Sequence, residues 1–335
     1  MTLGLITLGG TISMTSIAGG PARPTQSGSR LASRLGEAFG ADLTVVDLHR
    51  IGSPQIRLPM VGELLEAADR LVAGGADGVV VTQGTDTLEE TSFLADLVWE
   101  HDQPLVFTGA MRPSDAPGAD GPANLRDALT LASDPAAGGL GVLVCLGARI
   151  HSARRVRKTD ANAPDAFRSP GWGALARIAE NGVVGLPAQS ERSVLPRPSS
   201  WSGDLRIPVL WSALDDEGDA AALLAGVPAD SPRAPRGVVV GTMGSGHLPV
   251  RMLEALSPLA ARGVPVVSAT RCGAGTTTSG AYGYPGSERD VLAHGLIAAG
   301  WLAPLQARLL LHVLLADGYG PDDIRREFAG RGARP

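Results

Sequence analysis

Short apolar runs alternate along the chain with longer stretches in which apolar positions recur at helical spacing. The apolar runs predict buried strands at Leu3–Leu8, Leu43–Leu48, Val79–Thr82, Leu105–Thr108 and Leu140–Leu146. Helical spacing fills the intervals at Val61–Ala73, Leu88–Glu100 and Gly121–Ala132. This alternation is typical of a mainly parallel sheet with helices on its faces. Functional groups in such sheets lie at the carboxyl ends of the strands.

The alternation stops at residues 187–206, where prolines and serines replace any helical or strand period. It resumes beyond them with predicted strands at Pro208–Trp211, Val238–Gly241 and Val264–Ala269 and helices at Pro249–Arg262 and Pro304–Ala316. We therefore predict an α/β protein with a larger amino-terminal domain over 1–186, a linker over 187–206 and a smaller carboxyl-terminal α/β domain over 207–335.

A polar, glycine-rich stretch from Thr15 to Ser29 separates the first strand from the first helix. It is long for a plain connection between two such elements. We interpret it as a mobile lid over an active site.

Composition narrows the function classes. The chain has 335 residues, of which 44% are hydrophobic, and a net charge of −5. It has no run of basic residues to follow a phosphate backbone, so we expect no nucleic-acid partner. The first residues run directly into a strand with no basic leader, and no segment approaches the roughly 20 apolar residues of a membrane span. We therefore expect a cytoplasmic protein that does not contact a membrane.

Metal and cofactor motifs are also missing from the sequence. The two cysteines, Cys145 and Cys272, lie in or just after apolar runs, and the six histidines have no zinc-binding spacing. The glycine-rich stretches fit neither a dinucleotide-binding motif nor a P-loop. We predict no metal and no cofactor.

Lysine is used once. Of the 29 basic residues 28 are arginine, and the exception is Lys158. Only an amine can lose its proton near neutral pH, so a lysine kept in an arginine-rich chain is a candidate base. A single surface lysine without a role explains the count equally well, and composition alone leaves both interpretations open.

Two strands end in glycine followed by threonine. Gly9 and Gly10 precede Thr11 after the first strand, and Gly84 precedes Thr85 and Asp86 after the third. Thr85 or Asp86 can simply cap the helix that follows. Taken together with Thr11 and Lys158, they also supply an activated hydroxyl with its carboxylate and base.

The motifs and their order resemble the bacterial L-asparaginases. The stretches that carry the resemblance are LGGTIS (8–13), TQGTDTLEET (82–91), TGAMRP (108–113), ADGPANL (119–125), RKTDANAPDAFRSP (157–170), GTMGSGHLP (241–249) and ARLLLHVLL (307–315). The resemblance covers nearly the whole chain. It implies a flavodoxin-like second domain and a homo-oligomer, a dimer or a tetramer, with sites formed between subunits.

The resemblance also implies roles for individual residues. It implies that Thr11 is the nucleophile, that Thr85, Asp86 and Lys158 form a second catalytic set, and that the substrate is a small amino-acid amide. Its substrate-binding positions correspond to Gly10, Ser53, Pro54, Gly84, Asp86 and Ala110. Ser53 is expected to hold the α-carboxylate, Asp86 the α-ammonium group, and the Ala110 carbonyl the leaving amide nitrogen.

This chain departs from the family in its lid, which has no tyrosine, because the first tyrosine is Tyr282. Tyr282 and Tyr284 are candidate donors of the missing phenol, or else packing aromatics. Pro54, Gln83 and His247 stand where many relatives have glutamine, histidine and asparagine.

We expect L-asparagine hydrolysis to aspartate and ammonia through a threonine acyl-enzyme. The alternatives are a glutaminase-asparaginase of mixed specificity, an amidase subunit acting on transfer-RNA-bound acids, and an inactive amino-acid sensor.

Overall fold

The computed structural model describes residues 1–16, 20–33, 42–180, 182–188 and 192–333. The chain divides into two compact units, residues 1–195 and 196–335. The division falls inside the stretch 187–206, whose role as a linker stays a prediction.

The amino-terminal unit is built around one large sheet. Its strands, with those of two short ribbons, are β1 (Leu3–Gly9), β2 (Met14–Ser16), β3 (Ala22–Pro24), β4 (Leu43–Ile51), β5 (Gly78–Thr82), β6 (Leu105–Thr108), β7 (Val142–Leu146), β8 (Arg149–Ser152), β9 (Arg157–Lys158), β10 (Phe167–Arg168), β11 (Ala176–Ala179) and β12 (Gly182–Val184). The sheet runs in the order β12-β11-β8-β7-β6-β5-β1-β4. Strands β4, β1, β5, β6 and β7 are parallel, whereas β8, β11 and β12 continue the sheet antiparallel.

Helices cover this sheet because its central strands are apolar on both faces. The helices are α1 (Gly28–Ser33), α2 (Leu58–Ala73), α3 (Leu88–Val98) and α4 (Gly121–Ala132). Val79, Val80 and Val81 of β5 are fully buried, although their side chains alternate between the faces. A strand buried on both faces requires a helical layer on each side, which is the arrangement that the continuous apolar runs predict.

The register of the parallel strands brings their carboxyl ends to one edge. Thr7 of β1 pairs with Thr82 of β5, and Thr82 pairs with Thr108 of β6. The turns that follow these strands therefore meet, and they carry the threonine motifs of the sequence.

The carboxyl-terminal unit has a smaller parallel sheet. Its strands are β13 (Val209–Trp211), β14 (Val238–Thr242), β15 (Val266–Thr270) and β16 (Ile297–Ala298), paired in that order. Its helices are α5 (Asp219–Ala225), α6 (Val250–Ala261), α7 (Glu288–Ala293), α8 (Pro304–Ala316) and α9 (Pro321–Ala333). Within the described part of the chain, no helix has both the length and the apolar character to cross a membrane.

The α/β fold with a larger, mainly parallel amino-terminal sheet and a smaller carboxyl-terminal one is confirmed. Five predicted bounds are wrong by two or three residues: β4 ends at Ile51 and not at Leu48, α2 begins at Leu58 and not at Val61, α3 ends at Val98 and not at Glu100, β7 begins at Val142 and not at Leu140, and β15 begins at Val266 and not at Val264. β7 starts late because Gly141, with a φ of +84°, turns the chain into the strand. The predicted lid, Thr15 to Ser29, contains the end of β2, all of β3 and the start of α1, and residues 17–19 lie outside the described residues. Its mobility stays a prediction.

Candidate active site

The turn that carries Thr11 is made possible by two glycines. Gly9 and Gly10 have φ angles of +102° and +82°, in the region that disfavours any residue with a β-carbon. The Gly10 amide donates to the Ile51 carbonyl at 3.0 Å, and the Ser13 hydroxyl donates to the Gly10 carbonyl at 2.8 Å. The strand thus ends abruptly and Thr11 begins a short 3₁₀ turn, where it lies half-buried.

The Thr85 turn lies directly against the Thr11 turn. A β-carbon on Gly10 would come within 2.2 Å of the Gly84 nitrogen, and one on Gly84 would come within 2.8 Å of the Ser53 hydroxyl oxygen. The segments that follow β1 and β5 therefore contact each other through their backbones, and the segment after β5 also contacts the Ser53 hydroxyl after β4. Gly10, Gly84 and Ser53, each predicted as substrate-binding, lie together and buried.

Thr85, Asp86 and Lys158 are in direct contact. The Lys158 Nζ donates to Thr85 Oγ1 at 2.9 Å and forms an ion pair with Asp86 Oδ1 at 2.6 Å. Thr85 is 5% exposed, whereas the Asp86 side chain is 59% exposed. The ammonium therefore joins a buried hydroxyl to a carboxylate that faces outward. The sole lysine of the chain therefore contacts both Thr85 and Asp86, and its catalytic role stays a prediction.

Ser53 ties this cluster to the end of β4. Its hydroxyl accepts the Asp86 backbone amide at 3.2 Å and approaches Asp86 Oδ2 at 3.4 Å, while its carbonyl accepts the Thr87 hydroxyl at 3.1 Å. These bonds place Ser53 and Asp86, the two residues expected to bind the charged groups of an amino acid, side by side. Pro54 follows and is exposed.

Glu89 holds the strand that carries Lys158, and the sequence did not reveal this role. Lys158 is on β9, which pairs with β10 through Phe167. Its backbone amide donates to Glu89 Oε2 across 69 residues of sequence. Burial raises the pKa of Glu89, opposed by that amide and by the charges of Arg157 and Lys158. A glutamate is common in the first turn of a helix such as α3, so the sequence alone did not predict that Glu89 binds the Lys158 amide.

The turn after β6 completes the edge. A β-carbon on Gly109 would lie 2.6 Å from the Gln83 carbonyl oxygen and 3.3 Å from Thr85 Cγ2, and Ala110 is fully buried. Asp120 and Asn124, for which no role was predicted, bind this turn. Their only sequence signal is the ADGPANL motif, which is equally compatible with an ordinary helix start.

Tyr282 and Tyr284 lie in the carboxyl-terminal unit around His247. The Tyr284 hydroxyl is 3.0 Å from His247 Nδ1, and the Tyr282 ring meets the imidazole edge-on with ring centroids 5.1 Å apart. Glu288, which is 2% exposed, lies 3.3 Å from His247 Nε2 and accepts the Tyr282 amide at 2.7 Å. Both tyrosines remain about half exposed. Their part in the reaction stays a prediction.

No group of three or more histidine, cysteine, aspartate or glutamate side chains in the described ranges could hold a metal ion. The polar groups at the edge of the sheet are instead hydroxyls, carboxylates and one amine. Such a set suits nucleophilic and acid–base chemistry.

Comparison with known proteins covers both units. The family model "Asparaginase, N-terminal" matches residues 2–190, and "Glutaminase/Asparaginase C-terminal domain" matches residues 222–328. A probable L-asparaginase of Deinococcus radiodurans is 37% identical over 97% of this chain and 96% of its own. L-asparaginase 2 of Escherichia coli is 34% identical over 75% of this chain and 70% of its own.

The structural comparison agrees. The crystal structure of a probable cytoplasmic L-asparaginase from Campylobacter jejuni superposes with a TM-score of 0.84 at 30% identity, covering 98% of both chains. The matched models include Thr11, Thr85 and Lys158 and most of the second unit. This chain therefore belongs to the asparaginase family of amidohydrolases.

Proposed function

We propose that this chain hydrolyses L-asparagine to L-aspartate and ammonia. The observation that carries the proposal is the contact of the Lys158 amine with the Thr85 hydroxyl and the Asp86 carboxylate, 2.9 and 2.6 Å away, beside the Thr11 turn. The edge holds two threonine hydroxyls and one amine, which are the groups that acyl transfer from an amide requires. The relatives named L-asparaginases support asparagine as the amide.

In the first half of the reaction, the Thr11 oxygen attacks the side-chain amide carbon. The new carbon–oxygen bond forms, the carbon–nitrogen bond breaks, and the threonine proton leaves with the nitrogen as ammonia. The backbone amides of the Gly10 and Gly84 turns are the proposed donors to the oxyanion, and one such donor commonly contributes about 3 kcal/mol.

In the second half, water attacks the threonine ester. Its oxygen bonds to the acyl carbon, the ester bond breaks, and one water proton returns to the Thr11 oxygen as aspartate leaves. Thr85, with Asp86 and Lys158, either activates this water or shares the nucleophilic role. To act as a base, Lys158 must be in its neutral amine form, which then takes the proton of the Thr85 hydroxyl 2.9 Å away.

The same edge supplies the proposed recognition of an amino acid. Asp86 takes the α-ammonium group and Ser53 the α-carboxylate, which is the pairing that distinguishes an amino-acid amide from a simple amide. Pro54 lies at the exposed rim beside Ser53. Ala110 lies at the turn after β6, where its carbonyl is the proposed acceptor for the leaving nitrogen.

Tyr282 and Tyr284 are the proposed source of the phenol that the lid lacks. The His247 imidazole 3.0 Å from the Tyr284 hydroxyl can take up or return a phenolic proton. Tyr284→Phe and Tyr282→Phe are expected to differ, with the larger loss of turnover at position 284. Full activity in both variants would remove the phenol from the mechanism.

The test of the proposed function is ammonia release from L-asparagine, L-glutamine and D-asparagine by the parent chain and Thr11→Ala. We expect turnover of L-asparagine and its loss in the variant. Comparable turnover of L-glutamine would identify the chain as a glutaminase-asparaginase. Binding of asparagine or aspartate without ammonia release would make the chain an amino-acid sensor.

We further propose a cytoplasmic homotetramer. The cytoplasmic relative from Campylobacter jejuni, which this chain matches along nearly its whole length, supports the location. Cell fractionation tests the location, and sedimentation velocity tests the assembly. A monomer with full activity would contradict the tetramer.

A further inference from the structure

The peptide at Gly109 and Ala110 lies against the Thr85 turn, and Ala110 belongs to the same buried apolar cluster as Ile12, next to Thr11. On one side, Gly109 packs against the Gln83 carbonyl and the Thr85 methyl group. On the other side, a β-carbon at Gly121 would lie 3.5 Å from Ala110 Cβ and 2.9 Å from Ile12 Cγ1, next to Thr11. A displacement of this peptide therefore changes what the Thr85 turn contacts.

Asp120 and Asn124 bind the backbone on both sides of Ala110. The Asp120 carboxylate accepts the backbone amides of Met111 and Arg112, each at 2.9 Å. The Asn124 side-chain amide donates to the Gly109 carbonyl at 3.0 Å. Asp120 precedes α4 directly and Asn124 lies in its first turn, so a helix anchored in the core fixes the loop.

The orientation of the Asn124 amide is determined by its partners. Its nitrogen donates to both the Gly109 carbonyl and Asp120 Oδ2 at 3.0 Å, and its oxygen accepts the Gly147 amide at 3.0 Å. Both N–H groups and the carbonyl are thus used, and a reversed amide would face two acceptors with an oxygen. Asn124 is 3% exposed, so water cannot replace these bonds cheaply.

We propose that Asp120 and Asn124 are positioning residues for the leaving group, and that they hold the Ala110 carbonyl where it accepts a hydrogen bond from the departing amide nitrogen. The inference rests on the proposed function, in which that carbonyl faces the substrate amide. Neither residue touches the substrate. Their contribution is to keep a rigid acceptor at the point where the carbon–nitrogen bond breaks, and such rigidity raises the rate because no reorganisation is needed.

A misplaced Ala110 carbonyl should affect hydrolysis of amide and ester substrates differently. L-Aspartate β-methyl ester has the same amino-acid end as L-asparagine but no N–H on its leaving group, so a carbonyl acceptor cannot assist it. A loop displaced in general would slow both substrates. A misplaced Ala110 carbonyl would slow only hydrolysis of the amide, because only the amide has an N–H that this carbonyl can accept.

The experiment compares kcat/KM for L-asparagine and the β-methyl ester in the parent, Asn124→Ala and Asp120→Asn. We expect Asn124→Ala to lose about tenfold on asparagine, the value of one well-placed hydrogen bond, with the ester rate unchanged within about twofold. Asp120→Asn, which keeps one acceptor oxygen, is expected to show the same selectivity with a smaller loss. Thr130→Ala, on the same helix with its hydroxyl bound only to the Arg126 carbonyl at 3.0 Å, is the control and should match the parent.

Two results would overturn the inference. Equal losses on amide and ester would make Asp120 and Asn124 general supports of the fold, and so would full asparagine activity in both variants. If Asn124→Ala does not fold, Asp120→Asn still decides between selective and uniform loss. A parent that hydrolyses neither substrate refutes the proposed function itself, and the inference with it.

Discussion

The two threonine turns at the edge of the amino-terminal sheet are built differently. Thr85 is buried, and the Lys158 amine lies 2.9 Å from its hydroxyl within a network of side chains. Thr11 is half-buried and is placed mainly by backbone, on a turn that two glycines with positive φ make possible. The segment after Thr11 leads into the β2–β3 ribbon, whereas the segment after Thr85 leads into the core helix α3.

This difference separates two requirements of acyl transfer. A hydroxyl that exchanges protons with a base needs a fixed side-chain partner, which the Thr85 turn has. A hydroxyl that attacks a substrate needs access and an accurate backbone position, which the Thr11 turn has. The contrast supports the proposed division, with attack by Thr11 and proton transfer through Thr85, and it can be tested one turn at a time.

Loss of the amine should have the largest effect. Lys158→Arg keeps the positive charge beside Asp86 but cannot give up a proton, so we expect kcat for L-asparagine to fall by about 10³-fold, in the range of general acid–base catalysis. Arg168→Lys, on the neighbouring strand β10 with its side chain bound to Asp165, is the matched control. Turnover within tenfold of the parent in Lys158→Arg would show that the Thr85 turn needs no base.

The second largest loss of activity is expected when a methyl group is introduced between the Thr11 and Thr85 turns. Gly10→Ala would force a β-carbon to within 2.2 Å of the Gly84 nitrogen, so we expect the turns to separate. A displacement of about 1 Å at a reacting group can cost on the order of 100-fold in kcat/KM. Gly75→Ala has the same kind of strain, at φ +93°, but nothing within 4 Å, and controls for backbone conformation alone. If both variants lost stability and activity equally, contact between the turns would not matter.

Acid should destabilise the part of the amino-terminal unit that carries Lys158. His151 is 1% exposed on β8, and its Nδ1 is 2.9 Å from the hydroxyl of Ser169, which follows the ribbon that carries Lys158. Burial, aided by Arg149, lowers the pKa of His151 to about 4. The unfolded chain therefore binds the proton first, and the stability due to the neutral imidazole is complete above about pH 6.5 and is lost as pH falls toward about 4.

Between pH 7 and pH 5 we expect His151 to account for about 2 kcal/mol of unfolding free energy, measured by urea denaturation at each pH. His151→Asn should remove this part of the pH dependence from the amino-terminal unit. Burial also lowers the pKa of His312, in the carboxyl-terminal unit, to about 4, so His312→Asn is the control that should alter the acid response of that unit instead. An unchanged pH profile in His151→Asn would contradict the expectation.

The smallest effect on kcat is expected from loss of the hydrogen bond between Glu89 and the Lys158 backbone amide. Glu89→Ala removes the acceptor for the Lys158 amide, and we expect kcat to fall about tenfold, as for a lost hydrogen bond to a charged group. Glu89→Gln keeps an acceptor oxygen and should restore most of that rate. Equal losses in the two variants would mean that the charge of Glu89, and not its hydrogen bond, supports Lys158.

The parallel strands and their helices could be predicted because each is indicated by the pattern of apolar residues within its own segment. Val79–Thr82 is a continuous apolar run, and Leu88 starts a stretch of helical spacing, so neither requires knowledge of distant residues. The antiparallel strands β8 to β12 have two to four residues each, too short for a period to develop. Their pairing depends on residues distant in the sequence: β8 and β11 extend the large sheet, whereas β9 and β10 form a separate ribbon.

The candidate site divides in the same way. Thr11, Thr85, Asp86 and Lys158 were predicted from glycine turns at strand ends, a rare residue type and the family resemblance. Glu89, Asp120 and Asn124 were not, because an acidic residue or an asparagine near a helix start has an ordinary local explanation. Their contacts appear only in the folded chain: 69 residues separate Glu89 from Lys158, and 15 separate Asn124 from Gly109.

The contact of Gly10 with Gly84 limits how this protein can change over evolutionary time. Where two main chains touch with no room for a methyl group, the floor of the site offers no side chain for selection to vary. We therefore expect new substrate preferences to arise at exposed positions near the glycines, such as Pro54, which follows Ser53. A library randomised at the rim should yield altered specificity, whereas one randomised at the glycines should yield only inactive or misfolded chains.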